Sequence, residues 1–221
     1  ILCLAAGALA WLSYGIDLPF YDDWRAYNQG RAAFLDPKWL FEPDNATYYP
    51  VGKLLDSLAQ RYLEGNSLAY QLLSMLIVLG GLLALQWRLL SQALNDRLLA
   101  AASFSLTVFM LQPGSYWGRQ AFAYIQAVPL LCLLAILALI VGTRLSRILL
   151  VLAVAILGLV AGLTYTSGAL PAVVAAIVLL AFAPFLDQES RYRLILGGGA
   201  LLIAGIATTM LQLQPVFEVA F

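Results

Sequence analysis

The sequence contains no histidine, two cysteines and three methionines, and Asp, Glu, Lys and Arg make up only 11% of its 221 residues. Without histidine, imidazole acid–base catalysis and histidine-ligated metal sites are excluded. Cys3 and Cys132 sit inside apolar runs at a spacing that matches no ligand motif, so they read as small core residues. Charge is missing over long stretches. Arg119 is the only charged residue from Leu98 to Val141, and none occurs from Ile148 to Leu186. A soluble domain carries about 25% charged residues, spread over its surface. Twelve basic residues balance twelve acidic ones, with no basic block, which argues against a nucleic-acid partner.

What is present is apolar bulk, 62% of the chain. A transmembrane helix needs ~20 consecutive apolar residues, and the pattern predicts an all-α polytopic membrane protein of about seven spans. These are Ile1–Ile16, Ser67–Trp87, Leu98–Gln112, Ala121–Val141, Ile148–Leu163, Ala169–Leu186 and Leu194–Leu213. The chain begins at Ile1 and stops at Phe221 directly after an apolar run, and it is expected to be part of a longer protein. Residues 1–221 are expected to form one transmembrane domain, with residues 17–66 as a loop within it. Arginine pairs flank alternate short loops: Arg88 and Arg97, Arg144 and Arg147, Arg191 and Arg193. The positive-inside rule places these in the cytoplasm and the long loop Asp17–Asn66 on the extracytoplasmic side.

That loop holds eight acids and five bases. Within it, Pro50–Leu63 places Val51, Leu54, Leu55, Leu58, Ala59, Tyr62 and Leu63 on one helical face, with Lys53, Asp56, Gln60 and Glu64 opposite. Proline suits a first helical turn, and the pattern predicts an amphipathic helix lying on the membrane surface. Asp23–Leu35 is a weaker helix candidate. Asp36-Pro37 and Glu42-Pro43 are turn signals. Gly158 and Gly162 stand at GxxxG spacing, a pattern for close helix packing. The run Gly197-Gly198-Gly199 offers packing, or else a hinge or a lipid portal.

Four clusters fall on the extracytoplasmic side of this topology. They are Tyr21-Asp22-Asp23-Trp24-Arg25, Tyr48-Tyr49-Pro50-Val51-Gly52-Lys53, Gln112 to Gln120 including Tyr116, Trp117 and Arg119, and Thr164-Tyr165-Thr166-Ser167-Gly168. Acids, cations and aromatic platforms together are the inventory for binding a sugar on a phosphate. Each also has a plainer role: acids as solvated charge, rim aromatics as interfacial anchors, and Arg119 snorkelling to headgroups.

An apolar span, then an Asp-Asp pair within a few residues, then an amphipathic outer loop, then many spans: this order resembles the GT-C superfamily of integral-membrane glycosyltransferases. The resemblance implies transfer of a sugar from a polyprenyl-phosphate carrier to a hydroxyl on a glycan, lipid or protein acceptor, with inversion. One acid of the pair would be the general base: Asp23, with Asp22 orienting it or contacting the sugar, or the reverse. Lys53, Arg119 or Arg25 would stabilise the leaving phosphate. Tyr49, Tyr116, Trp117 and Tyr165 would stack on sugar rings or line the lipid groove, with Trp24 and Gln120 as further substrate contacts. The resemblance fixes no cofactor, and a divalent cation on Asp22 and Asp23 is an open option, because some members use a metal and others do not. The expected location is the bacterial inner membrane, with the active face extracytoplasmic. Two other classes share the layout: a transporter, flippase or polymerase for lipid-linked glycans, and a non-catalytic membrane assembly partner.

Overall fold

The computed structural model describes residues 36–43, 47–64, 66–110, 127–142 and 145–220, with isolated positions 9 and 13. Among the described residues every regular element is helical. In chain order they are α1 (Pro37–Leu40), α2 (Pro50–Tyr62), α3 (Ser67–Ser74), a π-helical turn (Met75–Leu79), α4 (Gly80–Ala93), α5 (Arg97–Met110), α6 (Val128–Gly142), α7 (Arg147–Thr164), α8 (Thr166–Phe182), a 3-10 turn (Ala183–Phe185) and α9 (Gln188–Ala220).

Small polar side chains start these helices. An N-cap oxygen accepts one of the backbone N–H groups that the first turn leaves without a partner. Asp36 accepts from Lys38 N at α1, Asn66 from Ala69 N at α3, and Asp96 from Leu98 N at α5. Ser146 accepts from Leu149 N at α7 and Asp187 from Ser190 N at α9. Between α2 and α3, Glu64 adopts a left-handed φ of 52°, which ends one helix and allows Asn66 to begin the next.

Four stretches are long and apolar enough to cross a membrane: Leu68–Ala93, Arg147–Thr164, Thr166–Phe185 and Gln188–Leu213. They coincide with the expected second, fifth, sixth and seventh spans. The third and fourth expected spans correspond to the shorter apolar helices Arg97–Leu106 and Val128–Gly142. The first, Ile1–Ile16, lies outside the described residues apart from Leu9 and Ser13.

The chain divides into two compact units, Ile1–Leu40 with Gly52–Ala127, and Phe41–Val51 with Val128–Phe221. In the first, Leu79, Leu82, Leu83 and Ala100 are buried, and Trp87 of α4 meets Phe104 of α5 edge to face at 5.5 Å. In the second, α6 to α9 enclose a core of Ile136, Ile140, Leu150, Val154, Ala172, Ala176, Leu194 and Leu201.

The second unit puts its small residues inside and many of its large ones outside. On α7, Ile148, Leu152 and Ile156 are exposed while Gly158, Ala161 and Gly162 are buried. On α8, Leu170, Val174 and Ile177 are exposed while Gly168, Ala169, Ala172 and Ala176 are buried. Lipid gives no hydrophobic drive for burying a leucine, so helices in a bilayer pair by close backbone approach over small residues. The GxxxG pair does this against α9: a Cβ on Gly158 would stand 3.0 Å from that of Ala204, and one on Gly162 would collide with the Thr208 side chain. Two of the three consecutive glycines are also packing positions, Gly197 against Ile140 and Gly198 against Leu180, while Gly199 is open.

Candidate functional site

α7 and α8 are joined by one non-helical residue, Tyr165, in extended backbone. The five-residue connection Thr164–Gly168 expected from sequence is therefore almost entirely helix. Gly168 makes this possible, because a Cβ there would run into the backbone carbonyl of Ala161. Tyr165 thus stands at the apex of a tight helical turn, and its ring meets that of Tyr49 edge to face at 6.0 Å. Two of the predicted aromatic platforms are therefore brought together.

The segment before α2 is fastened in place by Gln212 of α9. Its Oε1 accepts from Tyr48 N at 3.2 Å, and its Nε2 donates to the Tyr48 carbonyl and to the Gly162 carbonyl. Gln212 is buried, as are Thr164 and Thr208, whose hydroxyls donate to carbonyls of their own helices. The sequence placed Tyr48 in one of the extracytoplasmic clusters but singled out no role for Gln212. The available signal was a glutamine near the end of an otherwise apolar span.

Lys53 lies in the other unit, on α2. It is only 5% exposed, its Nζ donates to the Trp39 carbonyl at 2.8 Å, and the ammonium sits 5.3 Å from the centre of the Trp39 ring. The indole face attracts the cation and the carbonyl satisfies one of its donors. Around Lys53 the helix departs from the expected arrangement. The periodicity places Lys53, Asp56 and Gln60 on one side of α2, as predicted, but that side is turned inward. Asp56, Ser57 and Gln60 are 2%, 0% and 4% exposed, while Leu54, Leu55 and Leu58 are partly exposed and Tyr62 is exposed; of the apolar face, Ala59 is buried. Ser57 Oγ has no hydrogen-bond partner among the described residues.

Asp22, Asp23, Trp24, Arg25, Tyr116, Trp117, Arg119 and Gln120 lie outside the described residues. Among the described residues no three Cys, Asp or Glu side chains come together in a way that could hold a metal. No family model, curated protein or solved structure matches the chain.

Proposed function

We propose that the protein is an integral-membrane glycosyltransferase of the GT-C type, moving a sugar from a polyprenyl-phosphate donor to an acceptor hydroxyl at the extracytoplasmic face. Asp23 or Asp22 acts as general base, and about seven spans carry the long first loop. The observation that carries this proposal beyond the sequence is the inverted face of α2. A helix that merely rests on a bilayer leaves its polar side in water. Here Lys53, Asp56, Ser57 and Gln60 are buried while Leu54, Leu55 and Leu58 are only partly so. Burying polar groups is costly unless they are satisfied, and a polar stripe kept inside an apolar protein supports a site for a sugar phosphate. Within the second unit, the Tyr49–Tyr165 pair presents ring surface of the kind that sugars stack on.

Ion-coupled transport needs ionisable groups within the spans, and the sequence from Ile148 to Leu186 has none. The test is a transfer assay on the reconstituted protein with a panel of polyprenyl-phosphate sugars. Removing a general base costs about a hundredfold or more in rate, so Asp22→Asn or Asp23→Asn is expected to abolish product while the protein stays folded. Full turnover with both acids neutralised overturns the mechanism. Flipping of a labelled lipid-linked sugar without glycosidic bond formation would replace it with transport.

A further inference from the structure

Among the described residues, three buried side-chain oxygens have no hydrogen-bond partner: Ser57 Oγ, Gln71 Oε1 and Thr209 Oγ1. The first two belong to the same unit and flank one helical corner, Ser57 on α2 and Gln71 on α3. We infer that these two oxygens hydrogen-bond hydroxyls of the transferred sugar, and so hold the sugar end of the lipid-linked donor rather than its phosphate. This sugar subsite rests on the proposed function and extends it.

Position and chemistry both point this way. The corner is closed by hydrogen bonds from Leu63 N to the Ala59 carbonyl, from Asn66 N to the Leu63 carbonyl and from Tyr70 N to the Asn66 carbonyl. With a helical rise of about 1.5 Å per residue, Ser57 stands about 8 Å before the end of α2 and Gln71 about 6 Å past the start of α3. Both are inside the protein, Ser57 at 0% and Gln71 at 5% exposed. Gln60, also buried, lies one turn beyond Ser57 on the same face and extends the polar lining. Gln71 stands near the start of the apolar stretch Leu68–Ala93, four residues before the π-helical turn Met75–Leu79, and such turns within α-helices frequently accompany functional sites. Native proteins leave few buried polar atoms unpaired, because each is costly. The type of atom selects the ligand. An amide oxygen only accepts, so its partner must donate. A phosphodiester carries no proton at neutral pH and cannot serve. A sugar hydroxyl donates to the amide and can also accept from the Ser57 hydroxyl.

The experiment is calorimetric titration of the full chain in detergent with a short-chain polyprenyl phosphate, bare or carrying glucose, galactose, mannose or arabinose. Wild type is expected to bind one of the sugar-bearing lipids more tightly than the bare one. One hydrogen bond is worth up to about tenfold in binding, so Ser57→Ala and Gln71→Leu should each weaken the preferred sugar lipid by about that factor. Binding of the bare lipid should stay unchanged in both variants, which also shows that they fold. Unchanged sugar-lipid binding in either variant means that its oxygen holds water only, and overturns the shared subsite. So does an equal loss for bare and sugar-bearing lipid, or a wild type that binds all five alike; the polyprenyl-phosphate donor survives these outcomes. A wild type that binds none of the five lipids overturns both the subsite and the donor on which it rests.

Discussion

The side-chain amide of Gln212 forms a two-bond pair with the backbone of Tyr48, taking its N–H at 3.2 Å and donating to its carbonyl. The same amide nitrogen reaches the Gly162 carbonyl at 3.2 Å, so one buried side chain ties the segment before α2 to both α9 and α7. Stranding a buried polar group costs about 1–3 kcal/mol. Gln212→Leu should therefore lower stability in detergent by about 2 kcal/mol. Gln212→Glu, which loses both donated bonds, should not rescue it. Thermal unfolding followed by circular dichroism reads this directly, and an unchanged midpoint in Gln212→Leu would show that the pair contributes nothing.

The glycines of α7 and α9 should respond in a graded order. Overpacking a tight contact costs about 1–3 kcal/mol. Gly162→Ala, which drives a methyl group into Thr208, should be the most damaging. Gly158→Ala, 3.0 Å from Ala204 Cβ, should be milder. Gly199→Ala meets no atom within 4 Å. It should be neutral or stabilising by up to about 1 kcal/mol, because alanine suits a helix interior better than glycine. Ranking the three midpoints checks the packing, and a loss at Gly199 matching that at Gly162 would point instead to a hinge.

Ser57 offers a way to separate stability from activity. Its hydroxyl is fully buried with no partner among the described residues, so removing it relieves an unsatisfied group. Ser57→Ala should leave stability unchanged or raise it by about 1 kcal/mol. Under the proposed function, transfer should fall in the same variant if the hydroxyl contacts substrate. Equal stability with full turnover would assign Ser57 no part in binding.

Lys53 should behave in the opposite way. Lys53→Met removes the ammonium from the Trp39 carbonyl and ring, which should destabilise the protein by about 1–3 kcal/mol. Arginine, with a larger and planar head, should not substitute fully. A Lys53→Met protein as stable as wild type would show that the lysine is not held by Trp39.

Asp187 sets a pH dependence. Hydrogen bonds from the Ser190 backbone, then from its side chain, hold this exposed carboxyl below its ordinary value of 3.8. A lowered native value means that the native state favours the ionised form, so the stabilisation is complete above the unfolded value and is lost as pH falls through the native one. The stability difference between wild type and Asp187→Ala should be constant at neutral pH and shrink below pH 3.8. A difference that persists unchanged into strong acid would show that the cap does not depend on charge.

The helical class and the positions of the four long apolar helices were legible in the sequence because both rest on local chemistry. A charge-free run of sufficient length has few alternatives to a helix in lipid. Asp96, Ser146 and Asp187 mark starts because their short side chains reach the first free N–H groups. The Gly158 and Gly162 spacing identified a packing stripe, though not its partner, α9.

Tertiary structure decided the rest. Periodicity established that Lys53, Asp56 and Gln60 share a side of α2, but which side faces the protein depends on what surrounds the helix, and here the polar side is buried. The meeting of Tyr49 with Tyr165, and of Tyr48 with Gln212 across 164 positions of sequence, follows from how close α7, α8 and α9 approach one another. That distance is set by Gly162 against Thr208 and Gly168 against Ala161. Composition and spacing along one chain determine which faces are apolar and where helices begin. They do not determine which small residues interlock, because that depends on side-chain shapes that meet only after the helices have packed.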